Sequence, residues 1–292
     1  MFLEILSDND KPGVTPTDSP TTDDTTRSTR TSPSSTDSPG NGEWPTIPPG
    51  ICQGPSGKNV NYSEQSVVGG YTPFRGGKYD YAEVLHKSIL FYEAQRAGPQ
   101  PANNRVKWRG DAALHDGCDV GRSLQMGWFD AGDHAKFNFP MAASATMLGW
   151  GLIDHRQGYE RAGEYDRAVD SLRWAYSYMI ECHPSKYELH MQVGDGHADH
   201  GFWGRPEEMG MYRPIFTLNR NAPGSDLAGE FAAALSTCYL IFKDIDRSFA
   251  NDCLQHARDV YDFANEFRGV YSDSSPQVQD FYKSWSGFNV RI

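Results

Sequence analysis

The sequence predicts an all-α fold built from paired helices. Apolar residues recur at spacings of three and four along several segments, which is the period of a helix that buries one face. One of these segments, Leu227–Phe242, is apolar almost all round, as expected for an inner helix that is covered on every side. Helices that follow each other in pairs, with almost no strand between them, indicate an α/α toroid.

The first helix is predicted over Tyr79–Ala97, where Gly98 and Pro99 end the pattern. Pro140 suits the first turn of a second helix. The other predicted elements are helices over Met141–His155, Tyr165–Cys182, Leu227–Phe242 and Phe249–Phe267 and a short strand over Tyr187–Val193. Residues 101–139 form a long loop rich in Gly and Asp, and such a loop is uncommon in a compact domain unless it is functional.

Residues 1–58 are predicted to be a disordered linker rich in Thr, Ser and Pro. The run from Thr15 to Pro39 has almost no apolar side chain, so burial cannot offset the entropy lost on ordering. Asn61 begins a glycosylation sequon, which matters only in the secretory pathway. Met1–Asp10 has neither the basic start nor the apolar length of a secretory signal, and no run approaches the ~20 apolar residues of a membrane span.

The composition suits a globular protein with an uncharged partner. The chain is 38% hydrophobic, and its net charge of -11 argues against nucleic acid or an anionic membrane as partner. Five cysteines lack the spacing of a zinc or redox motif, and no disulfide framework can be deduced from them. Cys182, Cys238 and Cys253 fall in predicted helices, where a free cysteine usually behaves as a small buried hydrophobe.

The strongest chemical signal is the segment Gly127–Phe137, here called the acid turn. It places Asp130 and Asp133 on a bend that Gly132 is expected to permit, beside the aromatic side chains of Trp128 and Phe129. Paired carboxylates near aromatic rings suit acid–base chemistry on a sugar. The alternative is a structural loop in which Asp130 caps a helix and Asp133 pairs with Lys136 or Arg122.

Several further motifs accompany the acid turn in a fixed order. They are Tyr81–Gly98, Trp108–Asp111, Asp116–Gly121, Phe139–Ala142, Val193–Gly204, Pro223–Glu230 and Phe281–Gly287. Together they resemble the catalytic domain of glycoside hydrolase family 9, the endo-β-1,4-glucanases, from about Tyr79 to Phe288. The resemblance implies an incomplete (α/α)6 toroid with about half of the six helix pairs, and residues 59–292 as the N-terminal part of such a domain.

The resemblance also implies site residues. Asp133 matches the catalytic base of an inverting enzyme, and Asp130 matches its partner in holding the nucleophilic water. His200, Trp203, Tyr282, Trp285 and Trp128 are the expected sugar-binding residues. For His200 the alternative is a buried histidine with a structural role, and for the histidines at 190, 197 and 200 together a metal site is not expected.

Calcium is the one metal ion that the resemblance suggests. No cofactor is expected to be required. The candidate calcium ligands are Ser225, Asp226, Glu230 and Asp273, whose oxygens suit this ion. The alternative is that Ser225 or Asp226 simply caps the helix that follows.

The resemblance implies a secreted endo-β-1,4-glucanase (cellulase) that hydrolyses cellulose-like glucans with inversion. In that setting residues 1–58 would tether a carbohydrate-binding module, although a tail without function is the alternative. The chain has no match to the family's general-acid glutamate, so we expect the domain to be truncated at its C-terminus and the chain alone to be inactive and poorly stable. The competing hypothesis is a non-catalytic remnant or weak glucan-binding fragment.

Overall fold

A computed structural model describes residues 66–74 and 77–285. The helices are α1 (Tyr81–Ala94), α2 (Asn138–Asp154), α3 (Arg156–Ala162), α4 (Tyr165–Glu181), α5 (Gly196–Gly201), α6 (Ser225–Phe242), α7 (Arg247–Glu266), α8 (Tyr271–Ser274) and α9 (Gln279–Tyr282). The strands are β1 (Lys136–Phe137), β2 (Leu189–Val193) and β3 (Ile215–Leu218). The predicted linker over 1–58 and the Asn61 sequon lie outside the described residues.

The core is built around α6. This helix packs most extensively on α7 and next on α2, and its buried residues cover nearly every side of it. The prediction of an inner helix over Leu227–Phe242 is therefore confirmed. It begins two residues earlier, at Ser225, with Gly224 as its N-cap.

A disulfide between Cys238 and Cys253 joins α6 to α7. The sequence left the disulfide pairing open, and the structure brings these two side chains together across the two helices. Cys118 is also disulfide-bonded. Cys182 is free and buried, as predicted.

Helix α1 buries polar side chains. Asp80 caps its start by accepting from the backbone amides of Ala82 and Glu83 at 3.1 and 3.3 Å. On the inner face, Glu93 and Glu164 both contact Arg105, at 2.6 and 2.8 Å. Arg105 thus lies between two carboxylates, and His86 Nδ1, 2.7 Å from Glu164, is a further partner. These contacts tie the helix to the loop that follows it.

A three-stranded antiparallel sheet in the order β1-β2-β3 was predicted only in part. The sequence indicated β2, but β1 is two residues long and β3 is four, too short for a reliable pattern. Lys136 pairs with Val193 and Phe137 with Gln192. This pairing places the acid turn, which precedes β1, next to the segment that follows β2.

The long loop between α1 and α2 is held by buried ion pairs. Lys136 Nζ lies 2.8 Å from Asp116, whose other oxygen lies 2.7 Å from Arg213 Nε, and all three side chains are buried. Burial lowers the pKa of Lys136 to about 8, although Asp116 acts in the opposite direction. Burial also opposes ionisation of Asp116, but Arg213 and Lys136 hold its pKa below the usual value.

A pair of histidines should make stability depend on pH. Nδ1 of His183 lies 2.8 Å from Nδ1 of His256, so one ring donates and the other accepts while both are neutral. Burial, followed by repulsion from His256, lowers the pKa of His183 from 6.5 to about 4, and burial lowers that of His256. The surrounding charged groups are Arg122, Glu181, Asp252 and Asp259.

Because the unfolded chain binds these protons more tightly, the contribution of the pair is present above pH 6.5 and is lost as the pH falls towards 4. We expect a loss of about 1–3 kcal/mol in the free energy of unfolding over this window. Urea unfolding at several pH values should show this loss in the free energy of unfolding. A variant carrying His183→Asn and His256→Asn should lack this component, whereas His155→Asn, at an exposed position, should retain it. An equal dependence of the free energy of unfolding on pH in all three proteins would contradict the prediction.

Candidate active site

The acid turn is held by backbone and amide hydrogen bonds from the end of α1. The Phe129 amide donates to the Gln95 carbonyl at 2.8 Å, and the Gln95 side chain donates to the Ala131 carbonyl at 2.9 Å. Between Asp130 and Asp133 the residue with left-handed backbone is Ala131, at φ 52°, and not Gly132 as the sequence suggested. The Asp133 amide then donates to the Asp130 carbonyl at 2.8 Å, which closes the bend.

Each carboxylate of the turn meets a side chain from a distant segment. Asp133 Oδ1 lies 2.9 Å from His200 Nε2, and Asp130 accepts a hydrogen bond from the Tyr282 hydroxyl. The structural alternative for the turn is wrong. Helix α2 has Phe137 as its N-cap and no side-chain cap, so Asp130 does not cap it. Lys136 pairs with Asp116 at 2.8 Å, and Arg122 pairs with Glu181 at 3.0 Å. Asp133 is therefore paired with neither of these cations, and its observed partner is His200.

Burial is the largest influence on the pKa of Asp130. It raises the pKa of this carboxyl, the hydrogen bond from Tyr282 opposes the rise, and the charge of Asp133 adds to it. Burial, then the hydrogen bond to Asp130, raises the pKa of Tyr282. Tyr282 is consequently a phenol that donates to Asp130 at neutral pH.

Helix α5 carries the second half of the site. Asp195 caps it by accepting from the Ala198 amide at 2.8 Å. Both oxygens of Asp199, which is 4% exposed, lie 3.0 Å from the backbone nitrogen of His134, directly after Asp133. The helix thus holds the acid turn through Asp199 and contacts Asp133 through His200. The sequence drew attention to Asp199 without indicating this bond.

Three of the predicted aromatic residues are open to solvent. Trp203 is fully exposed, Trp285 is 86% exposed and Tyr282 is 36% exposed. The His200 side chain is 53% exposed, so the interpretation as a buried structural histidine was wrong. Phe281, which sequence analysis did not single out as a site residue, packs edge-on against His200 with ring centroids 5.0 Å apart.

Trp128 does not lie where the sequence suggested. Its ring is 3% exposed and packs on Tyr92 with centroids 4.7 Å apart. A sugar cannot stack on a face that the core already covers. The expectation that Trp128 forms a sugar platform is therefore not supported by its position.

The candidate calcium ligands Ser225, Asp226 and Glu230 take part in hydrogen bonds within the protein. Ser225 Oγ accepts from the Gly269 amide at 2.9 Å, and Asp226 Oδ1 accepts from the Tyr271 amide at 3.0 Å. Glu230 instead accepts from the Thr146 hydroxyl on α2 at 2.8 Å. Within residues 66–74 and 77–285, Asp226, Glu230 and Asp273 are not gathered as a set of metal ligands. Their observed role is to fasten the start of α6, although the helix cap itself is Gly224.

Among the described residues, one group does bring three metal-type ligands within 4.8 Å of one another: Asp133, Asp199 and His200. The carboxylate of Asp199 is already bound to the amide of His134, and His200 is bound to Asp133. We therefore treat this group as the frame of the acid turn.

Comparison with known proteins decides the family. The family model for glycosyl hydrolase family 9 matches residues 81–290. The chain belongs to this family. Endoglucanase 4 of Bacillus sp. (strain KSM-522) is 49% identical over 210 residues, which cover 72% of this chain and 33% of the relative. The chain is thus a glycoside hydrolase by family.

Solved structures of family 9 enzymes superpose on the helical part. The endoglucanase of the termite Nasutitermes takasagoensis has a TM-score of 0.71 at 51% identity, covering 72% of this chain and 48% of that one. The cellulase Cel9M of C. cellulolyticum, solved in complex with cellobiose, has a TM-score of 0.68 at 37% identity, covering 73% and 48%. The predicted (α/α)6 toroid is confirmed, and the family 9 chain spans about half of these structures and a third of the Bacillus relative.

In the described part of this family 9 protein, none of the helices has the length and apolar character needed to cross a bilayer.

Proposed function

We propose that this chain supplies the base side of the active site of an inverting endo-β-1,4-glucanase. The observation that carries the proposal is the meeting of Asp130 and Asp133 with Tyr282 and His200 beside exposed aromatic rings. Exposed indole and phenol rings suit the apolar faces of glucose units, and carboxylates suit the activation of water. Family membership and the cellobiose bound to Cel9M support a β-1,4-glucan as the substrate.

In this mechanism a water molecule lies between the two carboxylates. Asp133 removes a proton from it, so that the water oxygen attacks the anomeric carbon while the glycosidic bond breaks on the opposite side of the sugar. Asp130, fixed by Tyr282, orients the water through a hydrogen bond. His200, donating through Nε2, orients Asp133 and leaves its second oxygen to receive the proton.

Inversion also needs a carboxylic acid that protonates the leaving oxygen, roughly 6.5–9.5 Å from the base carboxylate. We assign this role to the part of the family 9 domain that the chain does not cover, since the solved relatives are about twice as long. A fusion of this chain to the uncovered C-terminal part of the termite endoglucanase would therefore be the protein to assay on carboxymethylcellulose.

A non-catalytic glucan binder is the second candidate, because the exposed aromatic residues can hold a sugar without any acid. Calorimetry with cellohexaose and hydrolysis assays on the chain and on the fusion separate the two functions. Binding by the chain with hydrolysis only in the fusion supports the first proposal. Binding in both proteins with hydrolysis in neither supports the second, and no binding in either protein contradicts both.

We also propose that the protein is secreted. The disulfide between Cys238 and Cys253 supports an oxidising compartment, in which such bonds form and persist. A carbohydrate-binding module tethered through residues 1–58 remains part of the proposal, since a polymeric substrate favours such an attachment. A structural calcium ion at Ser225, Asp226, Glu230 and Asp273 stays a proposal, since oxygen ligands suit this ion, and no cofactor is proposed to be required for catalysis.

Truncation of Trp203 tests the sugar-binding surface. Trp203→Ala should weaken cellohexaose binding by about 1–3 kcal/mol, the cost of losing an aromatic platform and its contacts. Because the ring is fully exposed, the thermal midpoint should barely change. Calorimetry and thermal unfolding would measure both, with Trp150→Ala as the control at a half-exposed tryptophan on α2. Intact affinity in Trp203→Ala would contradict the assignment.

A further inference from the structure

A small pocket of about 110 Å³ lies beside Asp130. Its walls come from the end of α1, the acid turn and the first turns of α2. Tyr282 and His200, the partners of the two carboxylates, are not among its lining residues. The pocket therefore reaches Asp130 from the side of α1 and the first turns of α2.

One wall of the pocket is Trp128, whose indole N–H has no hydrogen-bond partner among the described residues. The ring is 3% exposed, so bulk water does not reach it freely. Leaving a buried donor unsatisfied costs about 1–3 kcal/mol, and buried polar groups in folded proteins nearly always have a protein or water partner. Since Tyr92 and the core cover the ring, the pocket is the place from which an acceptor can come.

The pocket has the size and the polarity to hold water. A water molecule occupies about 30 Å³ in the liquid, so the volume is enough for about three. Polar groups from Gln95, Asp130 and Ser144 line it together with Trp128. Each water can thus find two or more partners, whereas an apolar cavity of this size would be dry.

We propose that this pocket holds a short chain of water molecules that joins Trp128 Nε1 to the carboxylate of Asp130. The role of this water chain rests on the proposed glucanase function. Hydrolysis consumes one water for each bond broken, and a bound glucan covers the open face of the acid turn. Water stored behind Asp130 renews the nucleophile without release of the glucan.

Nuclear magnetic resonance of the full chain labelled with ¹⁵N in its tryptophans tests the hydration. Trp128→Phe identifies the Trp128 indole signal, which should show cross-relaxation with long-lived bound water. Ser144→Leu fills the pocket and should abolish this contact. The control Ser88→Leu, on the exposed side of α1, should preserve it. Ser144→Val fills less of the pocket and replaces Ser144→Leu in this measurement if the leucine variant does not fold.

Absence of the water contact in the unaltered protein, or its persistence when the pocket is filled, would overturn the proposal. A high-resolution crystal structure should then show ordered waters continuing from Trp128 to Asp130, and a water that stops at Trp128 would disprove the link. A hydrated pocket in a protein that never hydrolyses glucan would refute only the glucanase function. An active enzyme with a dry pocket would refute only this inference.

Discussion

Replacing Asp133 by Asn is expected to lower the turnover of the fusion enzyme by about 10²–10⁴, the usual contribution of a positioned general base. Asparagine keeps the shape of the side chain and can still accept a hydrogen bond from His200, so the site should remain assembled. It cannot take a proton from water. The loss should therefore fall on kcat, with the affinity for cellohexaose nearly unchanged.

The matched control is Asp154→Asn, at an exposed position at the end of α2, which should leave turnover unaltered. Asp130→Asn should also lower turnover strongly, but by less than Asp133→Asn, because orienting water contributes less than accepting its proton. Initial rates on carboxymethylcellulose measure all three variants. If Asp133→Asn turned over at a rate near that of the unaltered fusion, Asp133 could not be the base.

The second large effect concerns stability. Asp116→Ala should lower the free energy of unfolding by about 3–5 kcal/mol, because it leaves Lys136 and Arg213 as buried cations without their shared carboxylate. The remaining acceptors of Lys136 are the carbonyls of Leu124 and Gln125, which carry no charge. Urea unfolding followed by circular dichroism measures the loss on the chain itself.

An exposed pair provides the comparison. Arg156 and Glu160 lie four residues apart with side chains 61% and 45% exposed, so Glu160→Ala should cost under about 0.5 kcal/mol. Asp116→Asn retains an acceptor but not the charge. Its loss in the free energy of unfolding should lie between those of Asp116→Ala and Glu160→Ala. A loss from Asp116→Ala as small as that from Glu160→Ala would show that water reaches the cations and that the network is not a buried one.

The features predicted correctly are those that a short stretch of sequence determines. The inner helix α6 shows its burial in its own composition. The two aspartates three residues apart marked the acid turn as the candidate site, and its chemistry stays a proposal. Its bend depends on Ala131, which the sequence did not reveal, because left-handed backbone at alanine has no compositional signal.

The features that were missed depend on contacts between distant segments. His200 reaches Asp133 across 67 residues, and Tyr282 reaches Asp130 across 152. For these two side chains only the family resemblance indicated a place in the site. The burial of Trp128 was missed for a related reason, since residue type alone cannot say whether an aromatic ring stacks on a sugar or on Tyr92.

The pairing of β1 with β2 has a mechanical consequence. Asp133 lies three residues before the Lys136–Val193 pair, and His200 lies seven residues after it, so both side chains are attached to the same pair of strands. Thermal motion of the surrounding helices would carry both side chains together and leave their separation unchanged. Sequence changes in the helical layers would then alter the position of the exposed aromatic residues more readily than the distance between Asp133 and His200.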